Sequence, residues 1–314
     1  MFYIGIDLGG TFIKGGIVNE NHEVVLKKAK ETRVSEGPTA VLSYIEELIQ
    51  ELMEDNPLKA EGCGGIGIGS PGTIDSANGI VLYSNNFGWE NVDMAGYLKE
   101  RFPYPIRLSN DANCAALGEL LADDEGEYKS AVLLTLGTGV GSGLVLGGKL
   151  YEGENPGAAE LGHTVIRHNG RQCSCGRKGC LEAYASATAL IKEGEKAARS
   201  FPASYLGKYY EENGALNGKV ITDAVRNGDS AALDIFEEYL EYLGEGIVNV
   251  INIFRPDVIY LGGGVCESFD LMEESLNSYV YQYSFGGEYA KVAKIQKAKH
   301  GNDAGIIGAA GLLL

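Results

Sequence analysis

Basic residues and long apolar runs are scarce in this chain of 314 residues. Lysine and arginine together number 26 against 43 aspartates and glutamates, which gives a formal net charge of −17. Surfaces that bind nucleic acid or an anionic membrane need clustered Lys and Arg, so this balance argues against both partners. The longest apolar stretch, GIVNVINIF, ends at the segment RPD, residues 255–257, and is too short to span a bilayer.

Targeting and P-loop signatures are also missing. The N-terminus, MFYIGIDLGG, has no basic region, and its apolar run is too short for a signal peptide. We therefore expect a cytoplasmic protein, in which thiols stay reduced and clustered cysteines indicate metal binding or catalysis before disulfides. The pattern GxxxxGK[ST] does not occur. Nucleotide phosphates would have to be held by backbone amides, a few lysines and Mg²⁺.

Glycine, in contrast, is frequent, with 45 residues that often stand at the ends of apolar runs. Strand-like runs alternate with helix-like segments, which is typical of an α/β fold. The turn LGGT near the start has an echo, LGTG, at residues 136–139, and this weak repeat predicts two related halves. We expect an N-terminal α/β domain at residues 1–109 and a larger C-terminal α/β domain at residues 110–300. The last helix, about 301–314, is expected to pack back on the first domain.

One glycine motif imitates a dinucleotide-binding fingerprint. Residues 67–72, GIGSPG, match GxGxxG and follow a strand, and Glu90 lies near the expected acidic position. In that fingerprint the glycines open a helix, whereas here they run into TIDSANGIVLYSN, a turn and an extended segment. We interpret the motif as a loop beside a ligand or as a plain turn.

Three other glycine turns are better candidates for a nucleotide site. In DLGGTFIK, two glycines let backbone amides approach an anion, the threonine adds a hydroxyl donor, and the aspartate can hold Mg²⁺ through water. A β-turn with a solvent-exposed lysine would explain the same stretch. Together the three turns suit a nucleotide held in a cleft between two α/β halves. The candidate residues are Asp7, Gly9, Gly10, Thr11, Lys14, Gly137, Thr138, Gly139, Gly263 and Gly264.

Asn110 and Asp111 stand where a strand gives way to an Ala- and Leu-rich helix. Either residue is suited to cap that helix. Asp111 is also suited to act as a general base that accepts a hydroxyl proton during phosphoryl transfer. Such a base can have an ordinary Asp pKa, because the proton moves mainly as the phosphoryl bond forms. The residues alone leave both roles open.

Half of the six cysteines lie in one short segment, HTVIRHNGRQCSCGRKGCLE, residues 163–182. Cys173, Cys175 and Cys180 together with one imidazole, from His163 or His168, suit tetrahedral Zn²⁺. A redox pair would more typically be Cys-x-x-Cys at a helix start, and only Cys-x-Cys occurs here. Four protein ligands leave no position for water or substrate, so the expected zinc ion is structural.

The motifs together resemble the ROK family of sugar kinases and related repressors, from residue 4 to about 310. They are, in order, DLGGTFIK, GIGSPG, SNDANCAALGE, LGTGVGSGLVLGGKLYEG, ELGH and CSCGRKGCLE, and the combination is most similar to the family's bacterial glucokinases. The resemblance implies an actin-like, hexokinase-type (ribonuclease H-like) ATPase fold. In that fold, two α/β domains surround an interdomain cleft that closes on sugar and ATP.

The resemblance also implies a role for each matching residue. Asp111 takes the place of the catalytic base, and the turns at Gly9–Thr11 and Gly137–Gly139 match phosphate-gripping turns. The metal ligand becomes His163, inside ELGH, and the glycines at 262–264 match the adenosine side. The matches to the sugar pocket are Gly72, Asn86, Asn110, Glu160, His163 and Glu182.

The implied activity is the ATP-dependent phosphorylation of a hexose, with glucose and its 6-hydroxyl as the first expectation. Kinases for N-acetylmannosamine, fructose, mannose or allose share these motifs and remain alternatives. A sugar-responsive repressor is a weaker one, because such proteins carry a DNA-binding domain before the first strand, which is reached here at Phe2. A homodimer or higher homo-oligomer is expected from the family. Two residues beside the expected pocket depart from the family's pattern: Ala159 stands in place of a frequent Gly, and Cys114 in place of a small residue.

Overall fold

The computed structural model describes residues 1–123, 128–287 and 289–314. Its strands are β1 (Phe2–Leu8), β2 (Phe12–Asn19), β3 (Val24–Glu31), β4 (Cys63–Ser70), β5 (Thr73–Asp75), β6 (Ile80–Ser84), β7 (Trp89–Asp93), β8 (Ile106–Asn110), β9 (Ala131–Leu136), β10 (Val140–Leu146), β11 (Lys149–Leu150), β12 (Val258–Gly262) and β13 (Lys294–Lys297). Its α-helices are α1 (Pro38–Asp55), α2 (Met94–Lys99), α3 (Asp111–Leu121), α4 (Glu182–Ala185), α5 (Ala187–Ser200), α6 (Tyr205–Asn213), α7 (Gly218–Arg226), α8 (Ser230–Phe254), α9 (Glu273–Tyr283) and α10 (Asn302–Gly311). The predicted alternation of strands and helices is thus present.

Two compact units divide the chain. The first contains Met1–Leu133, Gly143–Ala159 and Ala298–Leu314, and the second contains Leu134–Ser142 and Glu160–Lys297. The boundary that we expected near residue 109 falls inside the first unit, because α3 packs against α10 and β4. The chain instead passes from the first unit to the second within β9.

The two five-stranded sheets share one strand order. The first runs β3-β2-β1-β4-β8 and the second β11-β10-β9-β12-β13. If the strands of each sheet are numbered from 1 to 5 in chain order, both sheets have the order 3-2-1-4-5. In the first sheet β1 pairs antiparallel with β2 and parallel with β4. The second has an antiparallel pair, β10 with β11, and a parallel pair, β12 with β13. This agrees with the internal repeat that LGGT and LGTG predicted.

The core of the first unit forms around β1, whose side chains are nearly all buried because the strand lies in the middle of its sheet. Helix α1 adds an apolar face with the helical spacing that its sequence predicts. The buried residues of that face are Val41, Leu42, Ile45, Leu48, Ile49 and Leu52.

Helix α10 packs on this sheet at backbone distance, which only glycine permits. A Cβ at Gly5 would lie 2.0 Å from the carbonyl oxygen of Ile306, and one at Gly67 would lie 1.7 Å from that of Ala309. Gly67 is the first glycine of the GxGxxG stretch. Its role is therefore helix packing, and the stretch runs into β5 and opens no helix.

The second unit is mainly helical outside its sheet, with α5 to α8 in sequence. Helix α8 packs against α5, α7 and α9, and it buries an apolar face that includes Phe236, Leu243, Ile247 and Ile251. Among the described residues, no helix is long and apolar enough to cross a membrane.

Candidate active site and metal centre

The turn between β1 and β2 leaves Gly10 and Thr11 exposed. The N–H of Gly9 donates to the carbonyl of Phe12 at 3.0 Å, and the hydroxyl of Thr32 donates to the carbonyl of Gly9 at 2.6 Å. A Cβ at Gly9 would lie 2.9 Å from the Phe12 carbonyl oxygen, so the turn favours glycine. The turn is thus fixed from behind, while its exposed residues can donate hydrogen bonds to an anion.

The pKa of Asp7 depends on a second carboxylate of the first unit, that of Asp111. Asp7 on β1 lies opposite Lys14 on β2, and the distance from Lys14 Nζ to Asp7 Oδ2 is 3.9 Å. Burial raises the pKa of Asp7 to about 6; the Lys14 ammonium opposes this rise, and the negative charge of Asp111 adds to it. Burial also raises the pKa of Asp111, against the N–H of Ala112, which lowers it. A cation beside these carboxylates would favour their ionised forms.

The cap of α3 is Asn110. Its Oδ1 accepts the N–H groups of Ala112 at 2.9 Å and Asn113 at 3.3 Å, and its Nδ2 donates to the carbonyl of Gly72 at 3.0 Å. The Oδ1 of Asp111 also accepts from Ala112 at 2.9 Å. Because Asn110 provides the cap, α3 does not require Asp111 for this purpose, and the base role predicted for Asp111 stays available.

The other pocket candidates of the first unit lie in turns. Gly72, between β4 and β5, has a φ of 117°, and a Cβ there would lie 2.2 Å from the carbonyl oxygen of Tyr83. The backbone thus requires glycine at this position. Asn86 is exposed in the turn between β6 and β7.

The turn between β9 and β10 contains the second Gly-Thr motif. The N–H of Gly137 donates to the carbonyl of Gly139 at 3.0 Å, and the carbonyl of Gly137 accepts the N–H of Ala187, the first residue of α5, at 2.9 Å. Thr138 is exposed between them. This turn is therefore attached to a helix of its own unit.

Gly263 and Gly264 follow β12, as the sequence predicted. Gly263 has a φ of 94°, and a Cβ there would lie 2.4 Å from the carbonyl oxygen of Leu136, at the end of β9. Gly264 begins the 3₁₀ helix Gly264–Leu271, and no atom lies within 4 Å of the place where its Cβ would be. The two glycines therefore differ: one is required by packing, and the other leaves open space.

A cluster of metal-ligand type forms in the second unit. The ligand atoms of His163, Cys173, Cys175 and Cys180 all lie within 4.8 Å of one another. The Sγ atoms of Cys175 and Cys180 are 3.7 Å apart, and Cys173 Sγ is 3.7 Å from His163 Nδ1. Tetrahedral zinc with Zn–S bonds of about 2.3 Å needs sulfur atoms about 3.8 Å apart, whereas a disulfide needs about 2.05 Å. The spacing fits a metal and not a disulfide.

Glycines and backbone hydrogen bonds shape the loop that holds the cluster. Gly176 and Gly179 have φ of 88° and 84°, and a Cβ at Gly179 would lie 1.8 Å from the carbonyl oxygen of Arg167. The backbone N–H of Arg177 lowers the pKa of the Cys175 thiol, while burial raises that of Cys180 to about 12. A buried thiol with such a pKa would become a thiolate through a bound cation. His168, the rival imidazole, is exposed.

The three sugar-ligand candidates of the second unit flank this loop. Glu160 is exposed, and its carbonyl accepts the N–H of His163 at 3.1 Å. His163 faces the sulfur of Cys173 through Nδ1, which leaves Nε2 for another partner. Glu182 begins α4 and accepts hydrogen bonds at both of its carboxylate oxygens.

The sequence comparison identifies the class of protein. The sequence model described as the ROK family matches residues 3–314, and the chain therefore belongs to the ROK family. It is 37% identical over 314 residues to the glucokinase of Thermotoga maritima, with 99% of this chain and 96% of that protein covered. It is 34% identical over 308 residues to the glucokinase of Halalkalibacterium halodurans, with 98% of this chain and 93% of that protein covered.

A solved structure agrees over the same length. The ROK family glucokinase of Streptomyces griseus, crystallised with glucose and AMPPNP, is 31% identical, with a TM-score of 0.78 and 99% of each chain covered. This likeness, the matching family model and the repeated sheets confirm the expected actin-like sugar kinase fold.

Sequence reasoning missed two side chains that lie beside candidate residues or bond to them, Glu152 and Ser174. Glu152 Oε1 accepts the hydroxyls of Ser76 at 2.7 Å and Ser109 at 2.6 Å, and Ser109 immediately precedes Asn110. Ser174, between two cysteines of the cluster, donates to Glu182 Oε1 at 2.7 Å. A single hydroxyl that bonds a distant carboxylate leaves no pattern in a sequence. Only the adjacency of Ser109 and Ser174 to motif residues was a usable signal.

Proposed function

We propose that this chain transfers the γ-phosphoryl group of ATP to the 6-hydroxyl of glucose and releases ADP. The observation that carries the proposal is the full-length likeness to a glucokinase crystallised with glucose and a nucleotide analogue. The site residues agree chemically, because both Gly-Thr turns expose donors for phosphates and the half-buried Asp111 adjoins a cap that does not depend on it.

In the proposed reaction, Asp111 accepts the proton of the attacking hydroxyl as the new O–P bond forms. The N–H of Ala112 holds one of its oxygens at 2.9 Å, which limits rotation of the short side chain. Phosphoryl transfer needs little basicity from such a group, because catalysis lies mainly in positioning and in stabilising charge. Burial raises the pKa of Asp111, which makes the ionised carboxylate a stronger base.

Mg²⁺ is the metal proposed for the nucleotide side. Asp7 offers carboxylate oxygens, which are the ligands this ion prefers, and would hold Mg²⁺ through water. When bound, Mg²⁺ would neutralise phosphate charge. Lys14 supplies a further positive charge beside Asp7.

Zn²⁺ is the metal proposed for the cluster of His163 and the three cysteines. The donor set and the 3.7 Å spacings suit a four-coordinate ion, whose contribution would be structural. His163 would orient its Nε2 toward a sugar hydroxyl, while Glu160 and Glu182 at either end of the loop would accept hydrogen bonds from others. Gly72, Asn86 and Asn110 are proposed as further sugar-binding residues.

The test is an ADP-release assay on dialysed protein with Mg²⁺ across glucose, mannose, fructose, allose and N-acetylmannosamine. We expect the largest kcat/KM with glucose. Asp111→Asn should reduce kcat by about three orders of magnitude or more with glucose affinity preserved. Asp234→Asn, an exposed Asp on α8, is the matched control. Turnover of no sugar at all, or near-normal turnover by Asp111→Asn, would contradict the proposal.

Two expectations complete the proposal. A homo-oligomer is supported by the family resemblance, and a cytoplasmic location by the reduced thiols that the metal cluster needs. Sedimentation analysis of the purified chain tests the first, and fractionation of its native host tests the second.

A further inference from the structure

Glu182 is held at both carboxylate oxygens by two separate segments of the second unit. Oε1 accepts the hydroxyl of Ser174 at 2.7 Å, and Oε2 accepts the N–H of Val140 at 3.1 Å. Ser174 belongs to the metal loop, which we define as residues 163–182. Val140 directly follows the second Gly-Thr turn, Gly137–Gly139. The carboxylate of Glu182 therefore joins the metal loop to that turn.

Of the two neighbours of Oε1, only Ser174 can donate once a metal is bound. Cys173 Sγ lies 3.6 Å from Oε1, and as a metal-bound thiolate it would carry no proton. A thiolate beside a carboxylate is repulsive, so the Ser174 hydroxyl would be the group that keeps Oε1 in place. Hydrogen bonds to an ionised group are about twice as strong as neutral ones.

Gly139 restricts the same carboxylate from the other side. A Cβ at Gly139 would lie 2.3 Å from Oε2 and 3.1 Å from Cδ of Glu182. The φ of Gly139 is not positive, so its backbone suits alanine, and the obstacle to a side chain is Glu182. The position of the Glu182 carboxylate is thus set by the hydroxyl of Ser174, by the N–H of Val140 and by the space that glycine leaves at position 139.

We propose that Glu182 is a fixed bridge between the metal loop and the second Gly-Thr turn, and that Ser174 is the positioning residue that orients it toward a sugar hydroxyl. The inference rests on the proposed function. A carboxylate has about four lone-pair sites. Two of these are used by Ser174 and Val140, and the rest remain for the sugar. Because Ser174 would act on binding and not on phosphoryl transfer, its loss should raise KM for the sugar and leave kcat nearly unchanged.

The first test compares Ser174→Ala with Ser174→Thr and a matched control. The control, Ser200→Ala, removes an exposed hydroxyl that donates to a backbone carbonyl at 2.9 Å at the end of α5. Titration calorimetry with glucose, without nucleotide, should give Ser174→Ala a Kd about five- to tenfold higher than the unmodified chain, with equal zinc content by mass spectrometry. Ser174→Thr keeps the hydroxyl and should restore Kd to within about twofold.

The second test reaches Glu182 without touching Ser174. Gly139→Ala should displace Oε2 and raise the glucose Kd by about tenfold or more, since small misplacements of a binding group are costly. Gly218→Ala, where no atom lies within 4 Å of the new Cβ, is the control. Both variants should keep their zinc.

Equal glucose Kd values for Ser174→Ala and Ser200→Ala would overturn the inference, as would lost zinc in Ser174→Ala that explains its weaker binding. The proposed function fails differently. If the unmodified chain binds glucose but releases no ADP, the kinase proposal is wrong, while the Kd comparison still decides the role of Ser174. Absence of glucose binding by the unmodified chain would overturn both.

Discussion

The two Gly-Thr turns have nearly the same sequence and different partners. In the first, Thr32 donates to the carbonyl of Gly9, and the preceding Asp7 faces Lys14. In the second, the N–H of Ala187 donates to the carbonyl of Gly137, and the N–H of Val140, just after the turn, donates to Glu182. Two copies of one turn sequence can therefore have different partners, with a different carboxylate beside each copy.

Each of those carboxylates is confined by a glycine. A Cβ at Gly305 of α10 would lie 2.9 Å from Cγ of Asp7, and a Cβ at Gly139 would lie 2.3 Å from Oε2 of Glu182. The glycines differ in origin, because one belongs to a distant helix and the other to the turn itself. The comparison predicts that the first turn depends on α10 and the second on the metal loop.

The largest expected effect comes from removing the metal. Cys175→Ser should lose zinc and raise the glucose Kd by at least about tenfold, because the loop that carries Ser174 and Glu182 is then no longer held by a bound ion. The affinity for Mg·ADP should change less, since the partners of the first turn among the described residues include no cysteine. Metal analysis and calorimetry measure both.

Cys63→Ser is the matched control, because Cys63 lies on β4 and outside the cluster. Normal glucose affinity in zinc-free Cys175→Ser would break the link between the metal loop and the second turn.

A smaller effect is expected at the first turn. Gly305→Ala should push on Asp7 and reduce kcat by about tenfold with the glucose Kd within about twofold, whereas Gly139→Ala should raise the glucose Kd. Steady-state kinetics and calorimetry on both variants give this crossed comparison, and Gly218→Ala again serves as reference. Weakened glucose binding in Gly305→Ala would contradict the expectation that a change near the first turn affects kcat and leaves glucose binding unchanged.

The smallest effect concerns Thr32. Thr32→Val keeps the shape of a fully buried side chain but removes the donor to Gly9, which should lower the free energy of unfolding by about 1 kcal/mol. Thr222→Val is the matched control, since that buried hydroxyl donates to the carbonyl of Lys219 at 3.0 Å. Urea denaturation should show similar losses for both variants. Only Thr32→Val should also raise KM for ATP, by about two- to threefold.

The sequence was informative wherever a pattern is local. The periodicity of α1, the glycine turns and the family motifs predicted the α/β class and family membership, both of which are confirmed. The boundary near residue 109 was misplaced because it depends on a contact between distant segments. At that contact a Cβ on Gly118 of α3 would lie 1.9 Å from the carbonyl oxygen of Ala304.

Local patterns also left the chemistry of side chains undecided. Spacing alone could not separate His163 from His168, since both precede the cysteines, and only the folded loop brings one of them to the sulfurs. Strain was equally hidden. Ala159, at the place of a frequent family glycine, has a φ of 63°, a conformation that costs a non-glycine residue about 1 kcal/mol or more. The roles proposed for the site residues stay predictions until the variants are measured.

The packing of α10 on β1 and β4 has a consequence for how the chain reaches its fold. Strand β1 and helix α10 share one unit, so that unit cannot be completed until residues 298–314 have been synthesised. The segments of the second unit all precede that stretch. Strand β1 is thus synthesised long before the helix that covers it.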